Sequence, residues 1–134
     1  MPLRVELVSP ERILFEGEAD MVVVRTLSGG DLAFLPGHEP FVGALRAWPV
    51  KVMLTGGGEQ VFAVHGGFAQ VNDDRVIILS DVAELPEDID AARAMAARDA
   101  ASAKLAEYPD DGEAQAALER ATIRLQVANT PTSG

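Results

Sequence analysis

At Pro86 the sequence changes period, and no other feature constrains the fold as much. Up to Glu84 the chain reads as short β segments broken by glycine, proline and acidic turns; from Asp88 it reads as alanine-rich helix. Its 134 residues allow one ordinary domain, or a small domain carrying an attached element. The pattern predicts a β domain over residues 1–84 and a helical element over residues 85–134, within one small protein.

In the first part, Arg4-Val5-Glu6-Leu7-Val8 alternates polar and apolar residues as a half-buried strand does. Met21 to Val24, Val61 to Val64, Phe68 to Val71 and Arg75 to Leu79 are apolar runs rich in β-branched residues. Thr55-Gly56-Gly57-Gly58-Glu59 predicts a hairpin loop after the strand Val50 to Leu54, and Asn72-Asp73-Asp74 closes another turn. Many short strands with frequent turns favour an antiparallel sandwich over a parallel sheet, which needs intervening helices. Only five Phe, one Tyr and one Trp are present, so Val, Leu, Ile and Ala must fill most of the core.

The helical part divides at Tyr108-Pro109-Asp110-Asp111-Gly112 into segments of about Asp88 to Glu107 and Glu113 to Ala128. Ala114, Ala117, Leu118, Ala121, Leu125 and Ala128 recur at three- and four-residue spacing on one face of the second. Two helices joined by a short turn form an antiparallel hairpin. Alanine faces allow close approach but bury only one methyl group each, against ~1.5 to 3 kcal/mol for a buried Leu or Met. Such a hairpin is marginal unless it leans on something else. The tail from Asn129 to Gly134 reads as disordered.

Composition excludes several classes of function. The absence of cysteine removes disulfides, thiolate metal sites and cysteine nucleophiles together. A formal charge of −10 opposes non-specific nucleic-acid binding, because a phosphate backbone is repelled rather than neutralised. No apolar run approaches the ~20 residues that span a bilayer, and the N-terminal residues lack a secretory segment; these features predict a soluble chain in the cytoplasm. His38 and His65 stand far apart with no metal-ligand pattern around them. The paired and triple glycines match neither a phosphate-cradling loop nor a dinucleotide fingerprint, and read as turns. No Gly-x-Ser-x-Gly nucleophile turn occurs, so no catalytic residue is assigned.

Two features point to binding. Leu35-Pro36-Gly37-His38-Glu39-Pro40 is stiffened by two prolines and carries His38 and Glu39; it reads either as a rigid connection with a local hydrogen bond or as a docking loop that loses little entropy on contact. Asp90 and Arg93 are three apart on the first helix, where a surface ion pair is the plain reading. Arg120 and Arg124 lie one turn apart on the second helix with no acid three or four residues away on it, so they repel slightly until an external anion or an acid from elsewhere relieves them. Arginine suits planar, bidentate recognition of phosphate, and with the hairpin closed Arg93, Arg120 and Arg124 can converge on one polyphosphate.

Ser28-Gly29-Gly30-Asp31-Leu32, Leu35-Pro36-Gly37-His38, Val64-His65-Gly66-Gly67-Phe68, Val76 to Asp81 and Asp88-Ile89-Asp90-Ala91-Ala92-Arg93-Ala94, in this order, resemble the epsilon subunit of bacterial F-type rotary ATP synthases over nearly the whole chain. The resemblance implies an α+β protein: a β-sandwich of about ten strands followed by a C-terminal two-helix hairpin. It implies a non-catalytic central-stalk subunit bound to gamma and the c-ring, with Asp31 and His38 at subunit interfaces, and with alpha and beta met through the hairpin. Such a chain reaches the membrane only through the complex, on the cytoplasmic side of the bacterial cell membrane.

In some members of the family the folded hairpin binds one ATP as a regulatory ligand. Their motif falls here on Ile89, Asp90, Arg93 and Ala94, with Glu84 before it and Arg120 and Arg124 on the second helix; whether Mg²⁺ accompanies the nucleotide is left open. The resemblance sets Glu84 and Asp90 toward the adenosine and the arginines toward the phosphates. Glu113 and Glu119 dilute the second helix's positive charge, which argues against strong electrostatic inhibition by an extended hairpin. A stand-alone β-sandwich enzyme or nucleotide-binding module is the alternative that the residues alone leave open.

Overall fold

The fold follows from one long strand. In a computed structural model, which describes residues 1–129, β2 (Ile13–Arg25) runs 13 residues, long enough to belong to both layers of a sandwich. Its first half pairs antiparallel with β1 (Leu3–Val8). Past a register shift between Ala19 and Met21, its second half pairs with β5 (Trp48–Leu54) on one side and β3 (Asp31–Phe34) on the other. One layer then continues from β1 to β8 (Arg75–Leu79), β7 (Gly67–Asn72) and β4 (Phe41–Leu45). The other continues from β5 to β6 (Glu59–Val64) and β9 (Ala83–Glu84).

Nine strands are present among the described residues, where the resemblance implied about ten. Pairing is antiparallel throughout except between β1 and β8, which run parallel. The parallel pair arises because β8 reaches β1 from across the sandwich rather than through a hairpin. Both expected hairpins form: β5 meets β6 across the glycine loop, and β7 meets β8 across Asp73 and Asp74, whose positive φ angles of 51° and 60° suit a tight two-residue turn.

Between the layers lies a core of Leu3, Val5, Leu7, Val22, Val24, Val50, Val52, Val64, Val71, Val76 and Ile78, with Phe34 and Phe62 as its largest fully buried side chains. The aliphatic filling expected from composition is present, centred on those two rings. The turn from β6 to β7 passes through Gly66 and Gly67, both at positive φ, and a Cβ at Gly67 would land on the Leu79 carbonyl oxygen. Only glycine fits there. Buried Ser80 holds the same turn by donating from Oγ to the Gly66 carbonyl, 2.6 Å away.

After β9 the chain makes a 3-10 turn (Pro86–Asp88) and then two helices, α1 (Ala91–Glu107) and α2 (Gly112–Ala128). Helix α1 starts at Ala91 rather than Asp88, because Ile89 is extended and the Asp90 carboxylate caps the helix by accepting from the Arg93 N–H. Asp111 caps α2 in the same way through Ala114 N–H, which holds its carboxyl below the usual range. Ala94 and Ala101 of α1 and Ala114 and Ala121 of α2 are buried, as the alanine spacing predicts for the helix pair.

A second face of α2 was not anticipated. Ile123 and Val127, one turn apart, are fully buried against Val61 and Ala63 on the outer side of β6, with Ala47 and Ile89 beside them. The hairpin is therefore folded back onto the sandwich. Met95 of α1 is half exposed. Residues 130–134, most of the tail read as disordered, lie outside the described residues.

Because the sandwich core is closed without any helical residue, a fragment ending at Glu84 is expected to fold alone. Circular dichroism should give a strand spectrum with a cooperative thermal transition, and an unfolded fragment would show the helices to be integral to the core.

Candidate functional site

Strand β9 brings Glu84 to the outer edge of the second layer, opposite Ala63 of β6. Docking of Ile123 and Val127 then sets the intervening Arg124 beside it. Arg124 Nε donates to both Glu84 oxygens, at 2.9 and 3.1 Å, and the acid that the helix itself lacked is supplied by the β domain. Only Nε is used in this pair, so the terminal nitrogens of Arg124 have no hydrogen-bond partner among the described residues. A planar guanidinium held by one edge keeps its fork available to an anion.

Arg124 lines a cleft of about 330 Å³ together with Glu84, Asp88, Ile89, Asp90, Arg93, Ala94 and Ala97. The volume falls within the roughly 300–1,000 Å³ of small-molecule sites. Asp90, Arg93, Ala94 and Ala97 lie at i, i+3, i+4 and i+7, so one face of the first turns of α1 forms a wall. Asp90 and Arg93 do not form the surface ion pair that their spacing allowed. The Asp90 carboxylate is occupied by the Arg93 backbone N–H, and the exposed Arg93 guanidinium has no ion-pair partner among the described residues. Among the residues expected at a nucleotide site, Glu84, Ile89, Asp90, Arg93, Ala94 and Arg124 are thus brought together. Arg120 is exposed one turn away on α2 and does not line the cleft.

Three contributors had no sequence signal strong enough to single them out. Asp88 lines the cleft and is held by Arg12, from the β1–β2 connection, at 2.7 Å. His65, on the β6–β7 connection, places Nε2 2.8 Å from Glu84 Oε1, so one carboxylate serves two cationic or donor partners. Burial opposes ionisation of Glu84, but hydrogen bonds from Arg124 and His65 outweigh it and hold the carboxyl below its usual range. The third is a surface, described next.

On the outer side of the first layer, strand register aligns Ala44, Phe68, Leu79, Val8 and Ile13 in one row across five strands. Phe68 is 59% exposed, Leu79 50%, Ile13 57% and nearby Val42 75%. Such a contiguous exposed apolar row marks an interaction surface more than scattered apolar residues do. The other end of the same face is polar, covered by the ion pairs Arg75–Glu6 and Arg4–Glu16. The two loop residues expected at interfaces are held by local contacts. Asp31 pairs with Arg25, which stacks 3.6 Å over the Trp48 ring. His38 packs edge-on against Phe34 and bonds through Nδ1 to the Glu39 carbonyl, the local hydrogen bond of the plainer reading. Among the described residues, no cluster of three or more His, Asp or Glu is placed to hold a metal, and no helix is long and apolar enough to cross a membrane.

Residues 2–86 match the family model described as ATP synthase, Delta/Epsilon chain, beta-sandwich domain, and residues 87–129 match the long alpha-helix domain of the same chain. An ATP synthase epsilon chain of Brevibacillus brevis is 45% identical over 105 residues, covering 78% of this chain and 79% of its own. The Streptomyces griseus epsilon chain is 42% identical over 124 residues, with 92% and 93% covered. A chain from the cryo-EM structure of Euglena gracilis mitochondrial ATP synthase (OSCP/F1/c-ring) superposes with a TM-score of 0.80 at 28% identity, over 96% of this chain and 82% of that one.

The hairpin is held by the apolar contact of α2 with β6, apart from the charged groups that line the cleft. Ile123→Ala should cost the docked hairpin about 2 to 5 kcal/mol, the range for truncating a buried aliphatic side chain. Amide exchange should therefore accelerate across α2 while the strands of the sandwich keep their protection; equal acceleration in both would make the hairpin part of one cooperative unit.

Proposed function

The chain belongs to the ATP synthase delta/epsilon family, and from that premise we propose that it is a non-catalytic central-stalk subunit whose sandwich docks and whose hairpin senses ATP. The observation that carries the sensing half is the single cleft lined by Arg93 of α1 and Arg124 of α2. ATP fits the donor set: two guanidiniums for phosphate oxygens, carboxylates of Glu84 and Asp90 for the hydroxyl and amine donors of the adenosine end, and the small side chains Ala94 and Ala97 leaving room for a ring. Arg120 adds positive charge from one turn away. Bound ATP supplies no chemistry here, since its role is to bridge α1, α2 and the strand edge.

A ligand biases a two-state element only through different affinities for the states. The cleft walls come from β9, α1 and α2, so the site exists only while the hairpin is folded back. Binding then stabilises that state by mass action. With the hairpin released, α2 is free to meet the alpha and beta subunits, which is the reading that links nucleotide level to hydrolysis.

Docking is assigned to the opposite side. The apolar row of Ala44, Phe68, Leu79, Val8 and Ile13 suits the gamma subunit, and the Asp31 turn with the His38 loop suits the rim of the c-ring and gamma. Assembled this way, the chain lies on the cytoplasmic face of the bacterial membrane and touches it only through the complex.

Two outcomes test these halves separately. Calorimetric titration should give one ATP per chain without hydrolysis, and Arg93→Ala or Arg124→Ala should each weaken binding about tenfold to a hundredfold, the worth of a charge-assisted hydrogen bond. Arg→Lys should rescue only part of the loss, because the planar fork is gone. Absence of heat at millimolar ATP would reassign both arginines to subunit contacts.

For docking, Phe68→Asp or Leu79→Asp should abolish co-purification with gamma while leaving the circular dichroism spectrum unchanged. Asp31→Lys and His38→Ala should weaken coupling in the assembled enzyme with little effect on the fold; unaltered proton pumping in both would return them to ordinary loop roles.

A further inference from the structure

His65 is in an unusual position for an imidazole. Its side chain is 5% exposed, and its Nε2 donates to Glu84 Oε1 at 2.8 Å. Because ionised Glu84 can only accept, the ring is the Nε2–H tautomer, and Nδ1 is left as a bare lone pair. That Nδ1 is buried and has no hydrogen-bond partner among the described residues. A second proton would have to sit at Nδ1, where nothing accepts its hydrogen bond. The charged groups facing the ring are Glu84 from β9 and, from α2, Arg124 and Arg120. An imidazolium here would share a single carboxylate with the Arg124 guanidinium, within electrostatic reach of Arg120.

We propose that His65 is a positioning residue that makes hairpin docking proton-sensitive: Glu84 is gripped by Arg124 while the imidazole is neutral, and protonation of His65 releases α2. The release half stands on the geometry above alone. Its consequence for ATP rests on the cleft being the nucleotide site.

The direction follows from what each state offers the ring. Desolvation by burial pushes the His65 pKa down; Glu84 pulls it up, and Arg124 and Arg120 push it down again, leaving it below the ordinary 6.5. When α2 leaves, both guanidiniums depart and water returns, while Glu84 stays beside the ring on β9. The undocked state therefore binds more protons, so docking strengthens with rising pH. Docking is at full strength above the undocked value and is lost as pH falls through the docked one. Where the undocked ring titrates at its ordinary value and the docked ring excludes the proton fully, the docking equilibrium falls about tenfold between pH 7.5 and 5.5. Glu84 passes from the guanidinium to the imidazolium.

The test is amide exchange of α2 in the full chain at pH 5.5, 6.5 and 7.5, corrected for intrinsic rates. Protection at Ile123 to Val127 should fall by up to about tenfold toward pH 5.5, with the sandwich strands unchanged. His65→Gln keeps an N–H donor for Glu84 but does not titrate, so its α2 protection should be flat with pH. A His65→Gln chain that retains the wild-type dependence overturns the proposal. Should that variant misfold, NMR titration of the single imidazole left in a His38→Ala chain decides the matter. Its inflection should lie below the ordinary histidine value and rise when Arg124→Gln is added, and an inflection indifferent to Arg124 overturns the proposal.

ATP titration at the same three pH values separates the two readings. Affinity that weakens toward pH 5.5 in the wild type more than in His65→Gln supports both. No ATP heat with the α2 response intact removes the nucleotide site and leaves the His65 switch standing. ATP binding with identical pH dependence in the two chains removes the switch and leaves the site.

Discussion

Two side chains on α2, Ile123 and Val127, hold together everything that lies outside the sandwich. The contacts between α1 and α2 are mostly alanine, each burying a methyl worth about 0.8 kcal/mol, whereas a buried Ile or Val contributes about 1.5 to 3 kcal/mol. The helix pair is therefore too weak to orient itself, and its pose is set by where this second face of α2 rests, on Val61 and Ala63 of β6. Once that contact forms, Arg124 can only fall beside Glu84, and α1, tethered through the 3-10 turn, can only close the cleft from the other side.

The polar contacts play a different part from the apolar ones. Glu84 and Arg124 are each only partly buried, so their ion pair adds modest strength over solvated charges. What the pair fixes is direction: Nε faces the Glu84 carboxylate, in a side chain that also lines the cleft. His65 extends the same arrangement one group inward. The carboxylate at its centre is shared rather than saturated, which leaves its allegiance open to a proton on one side or an anion on the other. The apolar contact thus supplies most of the strength of the hairpin's docking, and the ion pair supplies its orientation.

Much of this was legible in the residues and part was not. The sandwich announced itself through alternating and β-branched runs and through turn residues that could close only one way, such as Asp73 and Asp74. The first helix begins three residues beyond Asp88 because the decisive event, capping by Asp90, is a choice among several nearby acids that composition cannot rank. Ile123 and Val127 were passed over because the alanine face of α2 gave a complete amphipathic pattern by itself; a helix packed on two sides carries two overlapping stripes. Arg124 was noticed for lacking a local acid, and its partner lies 40 residues earlier, a pairing that only the β6–β9 contact creates. In the sequence His65 is only an imidazole without a metal-ligand pattern around it, and strand pairing alone makes it a neighbour of Glu84.

The placement of the two surfaces has a mechanical consequence. The apolar row of Phe68, Leu79 and Ile13 lies on the outer side of one layer, and the hairpin rests on the outer side of the other, with the closed core between them. A partner held by the row need not be displaced when α2 leaves β6, because no residue belongs to both contacts. Yet the surfaces are not fully independent. Gly67 and Gly66 connect Phe68 directly to His65, and Ser80, next to Leu79, bonds to the Gly66 and Val82 carbonyls, two residues from Glu84. The turn that admits only glycine at position 67 thus lies between the apolar row and the His65–Glu84 pair. A short hydrogen-bonded turn joins the row to the His65–Glu84 pair, while the helices rest on the opposite face.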